Sequence, residues 1–152
     1  MESLSYLERV KIQSEILLPF FRRVRQELGA ARADELLRAA VQEFAAGLAA
    51  AAAENAPGSS LDKLRSLLPM FAAGEALDME PLVDDARELS LDVRGCRYAE
   101  HFRALGEPEF GAMVTCELDP ILTRALGADL TLERTQTIMQ GGSHCDFRWR
   151  LE

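Results

Sequence analysis

The spacing of apolar residues changes near Glu75, and this change limits the folds that are open to the chain. Before it, apolar residues recur about every 3.6 residues, as on one face of a helix; after it, they alternate with polar residues. Such a switch places helices and strands in separate stretches of sequence, which is typical of an α+β fold. We therefore expect a single domain with a helical half (1–74) and a sheet-and-helix half (75–152).

The helical half predicts three consecutive helices. The first ends at Gly29, a residue that readily adopts the left-handed conformation found at helix ends. The second is rich in alanine and runs to Asn55. Ser59 and Asp62 have the spacing of a capping box and mark the start of the third.

The second half predicts a roughly four-stranded antiparallel sheet made of two hairpins, separated by short helices and covered by the N-terminal helices. The expected first hairpin has strands over 77–83 and 89–93. The expected second hairpin has strands over 130–140 and 145–151, joined by a turn at Gly141, Gly142 and Ser143. Helices are expected over 97–105, 108–118 and 120–126.

Charge and composition exclude several partner classes. A net charge of -8 disfavours nucleic acid and anionic membrane surfaces, because both require a basic patch. The longest apolar stretch (44–53) is half as long as the roughly 20 residues needed to cross a bilayer. The first residues lack the features of a signal peptide, so we expect a cytoplasmic protein with three free thiols.

The three cysteines all lie in the second half, within or beside five short motifs. These motifs are Cys96-Arg97-Tyr98-Ala99-Glu100, Leu105-Gly106-Glu107-Pro108-Glu109, Cys116-Glu117-Leu118-Asp119, Glu133-Arg134-Thr135-Gln136-Thr137-Ile138-Met139, and Gly141 through Cys145-Asp146-Phe147-Arg148-Trp149. In sequence and order they resemble the L-2-amino-thiazoline-4-carboxylic acid hydrolase family. The resemblance implies an amidine-type C–N hydrolase that opens a small cyclic isothiourea to a carbamoyl-cysteine. It implies a small substrate with a carboxylate and no cofactor.

Such chemistry requires an acid or base near the reacting carbon and a cation for the substrate carboxylate. The candidate catalytic residues are Cys96, Glu100, Cys116 and Cys145. The candidate substrate-binding residues are Asp119, Arg134, Asp146 and Arg148.

Several of these candidates also suit structural roles. Cys96 begins a helix, where a thiolate is favoured, but it also suits a small apolar position. Asp119 precedes a proline and suits a helix N-cap. Arg148 suits an ion pair on the outer sheet face.

Arg134 shares a strand face with apolar residues and is expected to point beneath the helices. A buried guanidinium needs a carboxylate, which we expect from Glu100, Glu109 or the substrate. His144 with the three cysteines offers a zinc site as an alternative, although the chain has no short Cys-x-x-Cys pair. A non-catalytic ligand-binding or thiol sensor domain is the competing function. A homodimer formed through the helical half is compatible with both functions.

Overall fold

A computed structural model describes residues 3–152, and its first three elements are the expected helices. They are α1 (Tyr6–Leu28), α2 (Ala30–Asn55) and α3 (Ser60–Ala72). The predicted capping box is confirmed at α3, where Ser59 and Asp62 satisfy each other's backbone N–H groups. Gly29 separates α1 from α2 with a φ of 85°, as predicted.

A four-stranded antiparallel sheet follows, which confirms the α+β architecture. Its strands are β1 (Leu77–Asp84), β2 (Glu88–Cys96), β3 (Leu130–Glu133) and β4 (Cys145–Leu151). The spatial order is β1-β2-β4-β3, so each predicted strand pair forms one half of the sheet. The turn between β1 and β2 is held by the Asp85 carboxylate, which accepts the N–H groups of Arg87 and Glu88 at 2.8 and 2.9 Å.

The predicted strand over 130–140 is too long, because β3 ends at Glu133. The Asp146 carboxylate accepts the N–H groups of Thr135 and Gln136, both at 2.9 Å, so these amides point to a side chain instead of a strand. The chain then turns on itself, and Gly142 N–H donates to the Thr137 carbonyl at 2.8 Å. Residues 134–144 therefore form a loop between β3 and β4, which we call the β3–β4 loop.

Short helical segments connect β2 to β3. They are α4 (Arg97–Ala104), α5 (Pro108–Gly111), a π-helical turn (Ala112–Cys116) and α6 (Leu118–Leu126). The helix expected over 108–118 is thus one α-helical turn followed by a π-helical turn. Glu117 N–H donates to the Ala112 carbonyl, five residues earlier, at 2.8 Å.

The inner sheet face is covered by helices. Leu91 on β2 and Trp149 on β4 are buried in one cluster with Leu61 and Leu64 of α3. A second cluster joins α1 to α4, α5 and the π-helical turn, and a third joins α2 to α6. These clusters leave a small gap where the sheet, α1 and the π-helical turn meet.

By length and composition, α2 could cross a membrane, with a mean hydropathy of 1.3 over its most apolar 18 residues. In the structure, Ala45 and Ala49 of α2 pack instead against Leu118 and Leu122 of α6. Its buried side is thus a core face.

Candidate active site

A cavity of about 80 Å³ lies between the inner sheet face, α1 and the π-helical turn. Five of the eight predicted site residues line it. They are Cys96, Cys116, Asp119, Arg134 and Cys145. Residues separated by as many as 49 positions in the sequence therefore meet at one small site.

Arg134 and Asp119 form an ion pair in the wall of this cavity. The Nη1 atom of Arg134 lies 2.9 Å from Oδ2 of Asp119, and only 14% of the Arg134 side chain is exposed. The guanidinium also lies 5.3 Å from the centre of the Phe147 ring. Arg134 thus points inward as predicted, but its carboxylate partner is Asp119, so the expectation of Glu100 or Glu109 was wrong.

The π-helical turn supplies the second partner of Arg134. Both Nη atoms donate to the Cys116 carbonyl at 3.1 Å. In this turn Glu117 N–H bonds to the carbonyl five residues earlier. The Cys116 carbonyl, at the end of the turn before α6, faces Arg134 of the β3–β4 loop. A local departure from α-helical geometry therefore completes the guanidinium site.

Asp119 is not a helix N-cap, which corrects one of the two expectations for this residue. It lies inside the first turn of α6, which begins at Leu118, and its carboxylate bonds to Arg134. Burial raises the pKa of Asp119 from 3.8 to about 6, although Arg134 acts in the opposite direction. A carboxyl group that titrates near neutral pH can both accept and donate a proton.

The three thiols that line the cavity are held in their neutral form. Burial raises the pKa of Cys96 to about 11 and that of Cys116 to about 12, and it raises the pKa of Cys145 as well. Cys96 does cap α4, since its sulfur accepts Ala99 N–H at 3.4 Å. The expectation that this helix start favours a thiolate was nevertheless wrong, because desolvation outweighs the cap.

The other three predicted site residues lie outside the cavity. Glu100 is exposed on α4. Arg148 lies on the outer sheet face, where its guanidinium donates to Asp92 Oδ1 at 3.0 Å and to the Leu91 carbonyl at 3.1 Å. Asp146 holds the β3–β4 loop. Burial favours a higher pKa for Asp146, but the hydrogen bonds from Thr135 and Gln136 outweigh it and lower the pKa.

These residues and their motifs match a known family. A sequence model of the L-2-amino-thiazoline-4-carboxylic acid hydrolase family matches residues 9–149. The chain belongs to this family. Among curated proteins, none matches the chain significantly.

Solved structures of other proteins resemble this member of the hydrolase family. The phenol-responsive sensory domain of the transcription activator PoxR, solved with phenol, aligns with a TM-score of 0.58 at 15% identity. That alignment covers 89% of this chain and 72% of the PoxR chain, and it supports the fold. A trafficking protein particle complex subunit 3 from Naegleria fowleri, covalently bound to palmitic acid, aligns with a TM-score of 0.48 at 16% identity over 93% of this chain and 96% of its own.

Four of the five motifs that resemble the hydrolase family contribute to the cavity or hold its wall. The motif at residues 105–109 does not line it. Conversely, Tyr6 lines the cavity from α1 but precedes the residues that the family model matches. Its ring packs edge-on against Phe71 at 5.0 Å, and the Tyr98 hydroxyl donates to the Phe71 carbonyl at 2.8 Å. Reasoning from sequence assigned no site role to these three aromatic residues, since each also fits a helix core position.

The zinc alternative does not fit the structure. His144 lies at the outer sheet face, with Nε2 3.8 Å from the Asp92 carboxylate and Nδ1 2.8 Å from the Ser143 hydroxyl. Within residues 3–152, no three His, Cys, Asp or Glu side chains are arranged to hold a metal ion. The three thiols consequently lack the fourth ligand that this alternative required.

Proposed function

We propose that the chain is a hydrolase that opens a small cyclic isothiourea bearing a carboxylate, such as L-2-amino-thiazoline-4-carboxylate. The observation that carries the proposal is the Arg134–Asp119 pair in a small cavity otherwise lined largely by thiols and apolar side chains. Membership of the hydrolase family supports the same class of reaction. A cytoplasmic location, which keeps the thiols reduced, is part of the proposal.

Arg134 retains donors for a substrate carboxylate. A guanidinium has five N–H groups, and the bonds to Asp119 and Cys116 use three of them. The remaining donors can form the bidentate contact typical of arginine and carboxylate. The cavity is far smaller than the roughly 300–1,000 Å³ pockets of drug-sized ligands, which favours a single small ring.

Asp119 takes the acid and base role that the sequence suggested for Glu100. Water oxygen bonds to the ring carbon held between two nitrogens and sulfur, while the Asp119 carboxylate accepts a proton from that water. The carboxyl group delivers this proton to the ring nitrogen, and it then relays the proton of the added hydroxyl group to the same nitrogen as the C=O bond forms and the ring C–N bond breaks. The product contains one added water, and its carbamoyl group remains on sulfur.

The cysteines act in this scheme as neutral walls of the site. A thiol whose pKa is raised above its usual range is a poor nucleophile at neutral pH, because only the thiolate attacks. The thiols of Cys96, Cys116 and Cys145 can still form weak S–H hydrogen bonds to the ring sulfur or nitrogens. No covalent enzyme intermediate is therefore part of the proposal.

The test is incubation of the purified chain with L-2-amino-thiazoline-4-carboxylate, followed by mass spectrometry for the product with one added water. A thiol reagent distinguishes the two ring-opening routes, because C–S cleavage releases a thiol and C–N cleavage does not. Asp119→Asn should lower kcat at least about 100-fold. Arg134→Gln should mainly raise KM.

Glu100→Gln is the matched control, because Glu100 is an exposed carboxylate of a family motif outside the cavity. It should leave kcat and KM within about two-fold of the original protein. Full activity of folded Asp119→Asn, or loss of activity in Glu100→Gln, would overturn the assignment of the acid and base.

A non-catalytic sensor is the second candidate, favoured by the fold similarity to a sensory domain solved with phenol and by the apolar cavity wall. A thermal shift separates the two. Stabilisation by the thiazoline carboxylate or by phenol, without any product, would favour the sensor.

A further inference from the structure

The α1 helix carries three large apolar residues on its solvent side. Ile12, Ile16 and Phe20 are 51%, 74% and 63% exposed. They follow one another at intervals of four residues and so share one helix face, which we call the α1 stripe. The core side of α1 is formed by other residues, including Val10 and Phe21. The α1 stripe therefore has no role in the core.

The α2 helix continues this apolar surface. Leu36, Ala40 and Phe44, the α2 stripe, are also spaced by four, with Leu36 39% and Phe44 46% exposed. A cleft of about 200 Å³ lies between the two helices, and Ala40 and Phe44 line it together with Gln13 and Leu17 of α1. Gln13 lies three residues before Ile16, and Leu17 lies three residues before Phe20, so each is a neighbour of the α1 stripe on the helix surface. The cleft therefore joins the two stripes into one face.

We propose that a second copy of the chain covers this face in a twofold dimer, with α1 antiparallel to α1 of the second copy. A fully exposed large apolar side chain offers roughly 180 Å², so the five large residues of the stripes present about 500 Å² per copy. A standard interface buries about 800 Å² per partner, of which about 60% is apolar. The apolar area available matches that requirement.

The charges that flank the α1 stripe fix the register. Arg9, Ile16, Phe20 and Glu27 are separated by seven, four and seven residues, which places all four on one face of α1. With the twofold axis between Ile16 and Phe20, these two residues of opposite copies meet. The same register sets Arg9 of each copy against Glu27 of the other.

Both flanking charges are available for this contact. Arg9 lies over the Tyr6 ring at 5.4 Å and has no ion pair among residues 3–152. Among the residues that the structure describes, Glu27 meets only Arg23, at 3.9 Å between exposed side chains. An exposed ion pair at that distance contributes little to the stability of the fold. Glu27 can therefore also pair with an arginine of the second copy.

A membrane surface fits this face less well. The chain carries a net charge of -8, which opposes adsorption to anionic lipid. Acidic side chains also stand next to the stripes, namely Glu15 on α1 and Glu35 and Glu43 on α2. A second copy buries the apolar residues and also pairs an acid with a base.

Analytical ultracentrifugation of the full chain over a concentration series tests the dimer. The expected result is a monomer–dimer equilibrium whose Kd rises at least 100-fold in Ile16→Glu. Leu82→Glu is the matched control, because Leu82 is 48% exposed on β1, away from both stripes, and should leave Kd unchanged. A specific dimer is expected to have a Kd below roughly 100 µM. The proposal would be overturned if the chain stayed monomeric at every concentration up to about 100 µM.

A charge swap tests the register without placing a charge in the apolar face. Arg9→Glu and Glu27→Arg should each raise the dimer Kd about ten-fold, because each creates two like-charge contacts per dimer. The double variant should restore Kd to within about three-fold. Additive weakening in the double variant would refute this register. A monomer that floats with phosphatidylcholine vesicles would instead assign the face to a membrane.

Discussion

Substitution of Asp119 by asparagine isolates the titration of its part-buried carboxyl group. Because the pKa of Asp119 is raised from 3.8 to about 6 on folding, the unfolded chain loses its proton first as pH rises. Asp119 therefore lowers stability progressively between pH 3.8 and 6. Two pKa units correspond to about 3 kcal/mol in total, of which about 2 kcal/mol falls between pH 4.5 and 7.5.

Urea unfolding of the original protein and of Asp119→Asn at half-unit pH steps measures this effect. The stability of the original protein relative to the variant should fall by about 2 kcal/mol from pH 4.5 to 7.5 and level off above pH 6.5. Relative to Asp146→Asn, the stability of the original protein should instead rise with pH, because the pKa of Asp146 is lowered in the folded state. A flat or rising difference curve for Asp119→Asn would refute the reasoning, since it would mean that the attraction of Arg134 outweighs desolvation.

Four further predictions concern the packing of the core, the α2 helix and the reactivity of the cavity thiols. Thr123→Val should lower the free energy of unfolding by about 1–3 kcal/mol, while Thr123→Ser should lower it less, because the Thr123 hydroxyl is the buried acceptor of the Trp149 indole N–H at 3.0 Å. Gly111→Ala should destabilise by about 1–3 kcal/mol in the same urea assay, since a Cβ there would lie 2.5 Å from Phe102 Cγ. Gly47→Ala, in the middle of α2 with no atom within 4 Å of an added Cβ, should instead stabilise by up to about 1 kcal/mol. At pH 7.5 the three thiols of the folded protein should react with iodoacetamide far more slowly than those of the urea-unfolded chain; equal rates, measured by mass spectrometry, would contradict the raised thiol pKa values.

The elements with a clear periodicity could be predicted from the sequence. Alternation places Cys145, Phe147 and Trp149 on one face of β4, and all three are buried there. The same alternation separates Arg148 from Cys145, and the structure puts Arg148 in an ion pair on the outer face. These features depend only on the period of a strand, which the sequence carries directly.

The irregular segments could not be predicted, and they determine the site. The end of β3 depends on a side chain, Asp146, that takes the N–H groups of Thr135 and Gln136 away from the strand ladder. The π-helical turn has no periodic signature in its five residues. The end of β3 depends on a contact between residues 11 positions apart, and the carboxylate partner of Arg134 lies 15 positions away in α6. Local spacing therefore predicted the side to which Arg134 points but not its partner.

The proposed function gives the Arg134–Asp119 pair a role that stability alone does not. Replacing a buried ion pair by apolar residues of similar size is often neutral or stabilising, so folding alone gives little reason to keep one. The pair is also not needed to fix the β3–β4 loop that carries Arg134. A separate carboxylate, Asp146, on the other side of β4, accepts two backbone N–H groups of this loop. Two hydrogen bonds to the Cys116 carbonyl also hold the guanidinium, so its position does not depend on Asp119 alone. A fixed cation beside a carboxyl group that titrates near pH 6 is the arrangement that ligand binding and proton transfer require, and a structural ion pair requires neither feature.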